Sequence, residues 1–206
     1  MAAGRVVTGF SLPYVAKYAA NGTTVTYSSG QKLARGVNLT ITPTTNNAEN
    51  NFYTDNGLAE SAPGGFNGAT FSEEVDGLKP EAQRLIYGLA AADTDGWTVY
   101  DDNAVHPYCG IGCIFRMQED GVVSYTAVIL PKVRFDYPTL AAATQEQEID
   151  WQTQTLSGTI FQSDAAGRRW LMVGQAKVVD GTTYATEALA EAAAEGDIKT
   201  FFSISP

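Results

Sequence analysis

Residues 50–88, NNFYTDNGLAESAPGGFNGATFSEEVDGLKPEAQRLIYG, carry three signals in succession. A polar stretch punctuated by Asn-Gly and Pro-Gly-Gly comes first, an alternating strand pattern follows, and a short helical pattern ends the segment. A stretch longer than about 12–15 residues without secondary structure of its own is usually functional or disordered. The polar part therefore predicts an arm that a neighbouring molecule orders.

The alternating part of this segment predicts a strand with two different faces. Thr70, Ser72 and Glu74 fall on one side, while Phe71 and Val75 fall on the other. Successive side chains of a strand point to opposite faces of the sheet. The pattern therefore predicts a sheet that is covered on one face and wet on the other.

The helical part predicts a short helix over about residues 80–88. Pro80 suits the first helical position, Glu81 suits the positive end of the helix dipole, and Gly88 suits the end. Helical spacing then places an apolar stripe on one side, so that the helix packs on a sheet. The stripe consists of Ala82, Leu85, Ile86 and Leu89.

Period-two patterns recur along the rest of the chain. A hairpin is predicted at Asn21-Gly22 and another at Asp120-Gly121. An Ala-rich stretch predicts a second helix over about 186–195, ended by Gly196. Further strands are predicted at residues 14–20, 23–28, 37–42, 108–118, 122–137, 149–161, 169–179 and 198–204. These elements together predict a mainly β, antiparallel protein with two short helices.

Composition limits the classes of protein to consider. The 206 residues suit a single domain, 1–206, and 44% hydrophobic residues are enough for a core. The 13 basic against 23 acidic residues give a net charge of −10, which argues against a basic surface that grips nucleic acid. No run approaches the roughly 20 apolar residues of a membrane helix, so we expect synthesis in the cytoplasm and no membrane insertion.

The two cysteines are predicted to be buried free thiols. In CGIGCIFRM the alternation places Cys109 and Cys113 on the same strand face. Positions four apart on a strand are about 13 Å apart, which is too far for a disulfide. A metal site would need more ligands than His106, the single histidine, can add.

No combination of residues predicts catalysis or a cofactor. His106 lies between a polar loop and a strand, and no Gly-x-Ser-x-Gly elbow accompanies it. Glu73 and Glu74 are adjacent on a strand, so they point to opposite faces and cannot flank one substrate. Asp101-Asp102 is interpreted as solvated charge in a loop. The sequence therefore predicts a protein that is not an enzyme and binds no cofactor or metal.

Six stretches, in order and covering nearly the whole chain, carry a resemblance to a known family. They are PYVAKYAANGTTVTYSSGQKLARGV, NNFYTDNGLAES, FSEEVDGLKPEAQRLIYGL, HPYCGIGCIF, YTAVILPKVRFDYP and IDWQTQTLSGTIFQ. The chain resembles the major tail proteins of phages, which form the tube of long non-contractile tails, and it is most similar to the group found in phages of Gram-positive hosts.

The resemblance implies a tail-tube fold of two packed antiparallel β-sheets flanked by a helix. It also implies hexameric rings that stack into a tube, the conduit for genome delivery. The implied partners are further copies of the chain, a tape-measure protein, tail terminator and initiator proteins, and double-stranded DNA that passes through the lumen without specific binding. The implied location is the virion tail. No added C-terminal decoration domain is expected, and residues 93–105 match no family pattern.

Two sets of site residues follow from this resemblance. The arm, about residues 43–66, corresponds to the loop that reaches an adjacent ring. Its expected inter-ring contacts are Thr54, Asp55, Asn56, Leu58, Glu60 and Phe66. Hydrophilic strand faces would line the lumen, where like charge would keep DNA from sticking. The expected lumen-facing residues are Glu74, Asp150, Gln152 and Gln154.

Two alternatives stay open at this point. One is the tube subunit of a phage-derived particle that carries no genome. The other is a β-sandwich module that binds a ligand such as carbohydrate, because Trp97, Tyr100 and Trp151 could stack on sugars. Such a module predicts a stable monomer with an ordered 43–66 loop.

Overall fold

The computed structural model describes residues 4–45, 50–62, 65–101, 104–139 and 152–205. The described part is mainly β, as predicted, and its strand pairings are antiparallel. The elements are β1 (Val6–Asn21), β2 (Thr24–Lys32), β3 (Gly36–Thr45), β4 (Asn50–Thr54), β5 (Gly57–Ala62), β6 (Phe66–Val75), α1 (Pro80–Tyr87), β7 (Cys109–Glu119), β8 (Val122–Phe135), β9 (Gln154–Ile160), β10 (Met172–Val173), β11 (Lys177–Val178) and α2 (Glu187–Phe201).

One sheet connects nine of these strands, in the order β2-β1-β7-β8-β9-β6-β3, with β10 and β11 also paired to β8. The sheet curls, because β1 and β3 are in contact although five positions separate them in this order. At that contact a Cβ added to Gly36 would lie 2.1 Å from the ring of Phe10. The division into two packed sheets stays a prediction, since the pairings form one continuous sheet.

The concave side of the sheet encloses the first hydrophobic core, and α1 packs against it. Pro80 begins this helix, and Gly88 ends it in the left-handed conformation, with its N–H donating to the Arg84 carbonyl. The predicted helix is therefore confirmed at both ends. Buried residues of α1 and of β1, β6, β7, β8 and β9 together form this core. They include Val15, Phe71, Ala82, Ile86, Tyr87, Ile111, Leu130, Val133, Phe135 and Ile160.

The convex side of β1, β7 and β8 is covered by α2, which forms a second core. Ala190, Ala194, Ile198 and Phe202 recur every four residues and pack on the sheet. Beside this stripe, α2 presents carboxylates to hydroxyl groups of the sheet. Glu187 accepts from the Tyr125 hydroxyl at 2.6 Å, Glu191 from Ser11 at 2.7 Å and Glu195 from Tyr14 at 2.5 Å. Part of the acidic excess therefore fixes the helix to the sheet.

The predicted C-terminal strand at residues 198–204 is wrong. The segment continues α2, which runs through Gly196 to Phe201. A Cβ added to Gly196 would meet nothing within 4 Å, and Gly196 is not in the positive-φ conformation of a helix-ending glycine. The apolar residues of the segment satisfy a helix stripe, because Ile198 and Phe202 extend the four-residue repeat.

Two other predictions need correction. The predicted strand at 169–179 is two short strands, β10 and β11, which flank a contact between the Gly174 N–H and the Ala127 carbonyl. The first hairpin turn lies at Gly22-Thr23 rather than Asn21-Gly22, because Asn21 pairs with Thr24. The Asp120-Gly121 turn is confirmed, with φ of 49° and 82°.

Candidate functional site

The arm is a β-hairpin rather than the predicted stretch without secondary structure. β4 and β5 pair only with each other among the described residues. Asp55 and Asn56 form its turn, with φ of 49° and 62°, as a type I′ turn requires. The hairpin is inserted between β3 and β6, whose ends meet where Thr45 pairs with Phe66. A two-stranded hairpin alone is only marginally stable in water.

The predicted inter-ring residues occupy different places. Thr54, Asp55 and Asn56 are exposed at and beside the turn of the hairpin. Leu58 and Glu60 belong to β5, where they pair with Tyr53 and Phe52. Phe66 begins β6, and its half-buried ring stacks on Trp170 with centroids 4.6 Å apart. Phe66 is therefore engaged within the subunit and does not belong to the hairpin.

The second candidate surface is the convex side of β3, β6 and β9, which we call the hydroxyl face. Its residues are exposed or half-buried and lie opposite one another across the strands. The hydroxyl face consists of three rows, Thr42-Thr70-Thr159, Thr40-Ser72-Ser157 and Asn38-Glu74-Thr155. Opposite residues in a ladder share a face, so hydroxyl groups dominate a continuous polar surface that carries one acidic side chain.

The predicted lumen-facing set does not lie on one face. Glu74 belongs to the hydroxyl face, where it accepts a hydrogen bond from the Thr153 hydroxyl. Gln154 pairs with Val75 and therefore lies on the opposite, concave face, where it is half-buried. Grouping Glu74 with Gln154 is therefore wrong, since Gln154 shares its face of β9 with the buried Leu156 and Ile160. Gln152 is exposed just before β9, and Asp150 lies outside the described residues.

A third surface lies on the loop between α1 and β7. Residues 93–105, which match no family pattern, carry exposed apolar side chains: Trp97 is 71% and Val105 79% exposed. Tyr137, 73% exposed, lies beside this loop, with its ring 4.4 Å from that of His106. His106 Nδ1 lies 2.8 Å from the Phe135 carbonyl oxygen, so this histidine ties the loop to β8.

A cavity of about 430 Å³ opens between β2, the end of α2 and the loop before β10. Tyr27 and Phe201 form part of its wall, and their ring centroids are 5.2 Å apart. Ser163 and Arg169 add polar groups. A cavity of this size fits a small ligand.

Sequence reasoning missed the environment of Glu73. The two adjacent glutamates do lie on opposite faces, but Glu73 is fully buried and neither of its carboxyl oxygens has a described hydrogen-bond partner. Burial raises the pKa of this carboxyl to about 8. The signal was present in ATFSEEV, where Glu73 continues the apolar alternation of Phe71 and Val75.

The described residues offer few other chemical groups. Cys109 and Cys113 are free and buried, as predicted, and burial raises the pKa of both thiols. No group of three or more His, Cys, Asp or Glu side chains is arranged to hold a metal ion in the described ranges. Neither α1 nor α2, the helices of the described part, has the length and apolar character of a membrane span.

Comparison with known protein families finds no family model that matches this chain, and a comparison with curated proteins finds no significant match.

Proposed function

We propose that this chain is a structural virion protein that polymerises as stacked hexameric rings into a phage tail tube. The observation that carries the proposal is the arm. Its hairpin pairs with no strand of the main sheet among the described residues, and such a hairpin gains stability when another surface covers it. An adjacent ring of the same protein would supply that surface.

The hydroxyl face supports the same proposal. A tube that conducts DNA needs a wet lumen without clusters of Lys or Arg, because each phosphate contact would add affinity. The three rows are mostly Thr and Ser. Arg134 of β8 pairs with Thr159 at the end of one row, and Arg35, just before β3, forms an ion pair with Asp76 beyond another. Hydroxyl groups stay hydrated and offer DNA no net charge to bind.

The exposed apolar side chains on the loop between α1 and β7, together with the sheet edges, support side-by-side assembly of subunits into a ring. Trp97 and Val105 of this loop expose large apolar side chains, and the exposed Tyr137 lies beside the loop at His106. Exposed apolar patches mark interaction sites. β2 and β3 end the strand order of the nine-stranded sheet. Exposed edges invite pairing with another chain.

Removing the arm tests the proposal. Because Thr45 and Phe66 already pair, residues 46–65 can be replaced by a two-residue Asn-Gly turn without moving β3 or β6. We expect the shortened protein to keep its circular dichroism spectrum and melting temperature. Electron microscopy should show sixfold tubes for the full chain and no stacked rings for the shortened one. Tubes from the shortened protein would overturn the role of the arm.

A matched pair of point variants tests whether the turn conformation of the arm contributes to assembly when the arm itself is present. Asn56 has a φ of 62°, which glycine adopts freely and a β-branched residue resists. Asn56→Gly should therefore keep tube assembly, whereas Asn56→Val should raise the protein concentration needed for it. Equal assembly of the two variants would show that the turn does not contribute to stacking.

The cavity favours one second candidate, a ligand-binding module. Its aromatic wall and polar groups, Tyr27, Phe201, Ser163 and Arg169, resemble the lining of small-ligand sites. This candidate requires a persistent monomer whose melting temperature rises with a sugar or another small ligand. Tubes without such a shift favour the tail-tube proposal, and DNA inside native particles distinguishes a virion from a particle without a genome.

A further inference from the structure

The side chain of Glu73 is buried in the concave core of the sheet. It lies on β6 between Phe71 and Val75, and its exposed fraction is 0%. Neither carboxyl oxygen has a hydrogen-bond partner among the described residues. A buried carboxylate without partners is costly, so the neutral acid is the form that this site accepts.

Within the described part of the chain, the strands around Glu73 supply no compensating positive charge. β3 and β9 place Leu39 and Leu156 directly opposite it. From β7 the neighbouring titratable group is the Cys113 thiol, which is itself fully buried and raised in pKa partly by the glutamate. No ion pair in the described part of the chain includes Glu73. Ionisation of Glu73 therefore leaves an unpaired charge in the core.

We propose that Glu73 is a proton-dependent latch for the pairing of β3 with β6, which is stable while this carboxyl is protonated and loosens when it ionises. This strand pair is the part of the sheet that can open. β3 is an edge strand that pairs with β6 alone among the described strands. Opening β3 would remove Leu39 from its place opposite Glu73 and admit water to the carboxylate. This inference concerns the single subunit and does not depend on tube formation.

The sign of the effect follows from the two protonation states. A glutamate in an unfolded chain has a pKa of about 4.3, and the folded pKa of Glu73 is about 8. Between these values the folded protein holds one proton more than the unfolded protein. The folding equilibrium constant should therefore fall about tenfold for each pH unit across that window. Below pH 4 the contribution is constant, and above pH 8 it levels off.

Other shifted groups act outside this window. Hydrogen bonds from Arg35 lower the pKa of Asp76, and those from Lys132 and Tyr18 lower that of Asp164. Such groups favour folding as pH rises through the acid range, which is the opposite sign. Burial raises the pKa of Tyr27 and Cys109 further into the alkaline range. Among the described groups with a shifted pKa, Glu73 is therefore the one that gives a negative slope between pH 5 and 8.

Two neighbouring glutamates make a matched test. Glu73→Gln removes the buried ionisable group, and Glu74→Gln removes the same charge from the hydroxyl face. Urea unfolding of the full chain at half-unit steps from pH 5 to 8.5 should show the falling equilibrium constant for the wild type and Glu74→Gln. For Glu73→Gln the folding equilibrium constant should lack this fall, so that its pH slope differs from that of the wild type by close to tenfold per pH unit. Equal slopes for the two variants would overturn the proposal.

Hydrogen exchange locates the effect. At pH 8, amides of β3 and β6 should exchange faster in the wild type than in Glu73→Gln, while amides of β7 should differ little. If Glu73→Gln does not fold, carbon-13 NMR of the wild-type carboxyl group keeps the proposal testable. A Glu73 titration midpoint above 6.5 supports the latch, and one near 4.5 overturns it.

Discussion

Two regions of the same sheet differ in what covers their convex side. On β1, β7 and β8 the convex positions are apolar, as at Ala16, Ile114 and Ala127, and α2 packs on them. On β3, β6 and β9 the corresponding positions carry hydroxyl groups, as at Thr40 and Ser72, and are exposed. In both regions the side chains alternate between the two faces of the sheet, and those on the concave side pack into the first core. The difference teaches that the first region is covered within one subunit, whereas the second is left exposed to solvent in the subunit.

Charge follows the same division. The carboxylates of Glu187, Glu191 and Glu195 accept hydrogen bonds from hydroxyl groups in the region that α2 covers, and so they act within the subunit. The hydroxyl face carries Glu74, and its Ser157 hydroxyl donates to the Asp136 carboxylate beside it. A lumen formed by this face would therefore avoid DNA by hydration more than by repulsion. The net charge of −10 is a property of the whole chain and not of this surface.

The largest effect is expected from placing one charge in each region. Ala127→Lys puts an ammonium group beneath α2, where Ala127 is 1% exposed, and should cost about 4 kcal/mol or more of unfolding free energy. Thr70→Lys places the same group on the hydroxyl face, and its effect should stay within about 0.5 kcal/mol. Urea unfolding measures both. A similar loss for the two variants would mean that the hydroxyl face is covered in the subunit.

The second-largest effect on stability is expected in α2, the helix that covers one of the two regions. Ile198→Ala removes a fully buried side chain from the second core and should destabilise the protein by about 2–5 kcal/mol. Leu189 lies on the same helix and is 56% exposed, so Leu189→Ala should change stability by less than about 0.5 kcal/mol. Thermal unfolding of the pair checks the assignment. If the two variants lose equal stability, α2 packs through a different face.

Local signals explain which elements the sequence could predict. α1 follows from Pro80, Glu81 and Gly88, all within one segment, and its bounds agree with the structure. The end of α2 could not be read in this way, because an apolar run after Gly196 fits a strand as well as a helix. Its four-residue repeat was visible in the sequence, but the surface that it covers is formed by strands far away in the chain.

Predictions for the candidate surfaces were also right in some places and wrong in others. The polar side of β6 was predicted correctly, because alternation at Thr70 and Ser72 is a local property. The face of Gln154 was predicted wrongly, although Leu156 and Ile160, which share its alternation in β9, mark that side as the core face. The hairpin turn at Asp55-Asn56 was missed, since the stronger turn signal is one residue later and the strands lack alternation. Burial of Glu73 was signalled by its alternation with Phe71 and Val75, but the packing that leaves its carboxyl oxygens without a described hydrogen-bond partner depends on distant segments.

The smallest effect concerns how the two helices begin. The Thr186 hydroxyl accepts from the Leu189 N–H at 3.4 Å at the start of α2, whereas Lys79 gives α1 no side-chain cap. Thr186→Ala should therefore cost about 0.5–1 kcal/mol, and Lys79→Ser should add up to about 1 kcal/mol by capping α1 and removing a positive charge from its N-terminus. Denaturant unfolding at one pH resolves both. A loss from Lys79→Ser would show that the lysine contributes where α1 meets the sheet, and that the concave core depends on more than its apolar stripe.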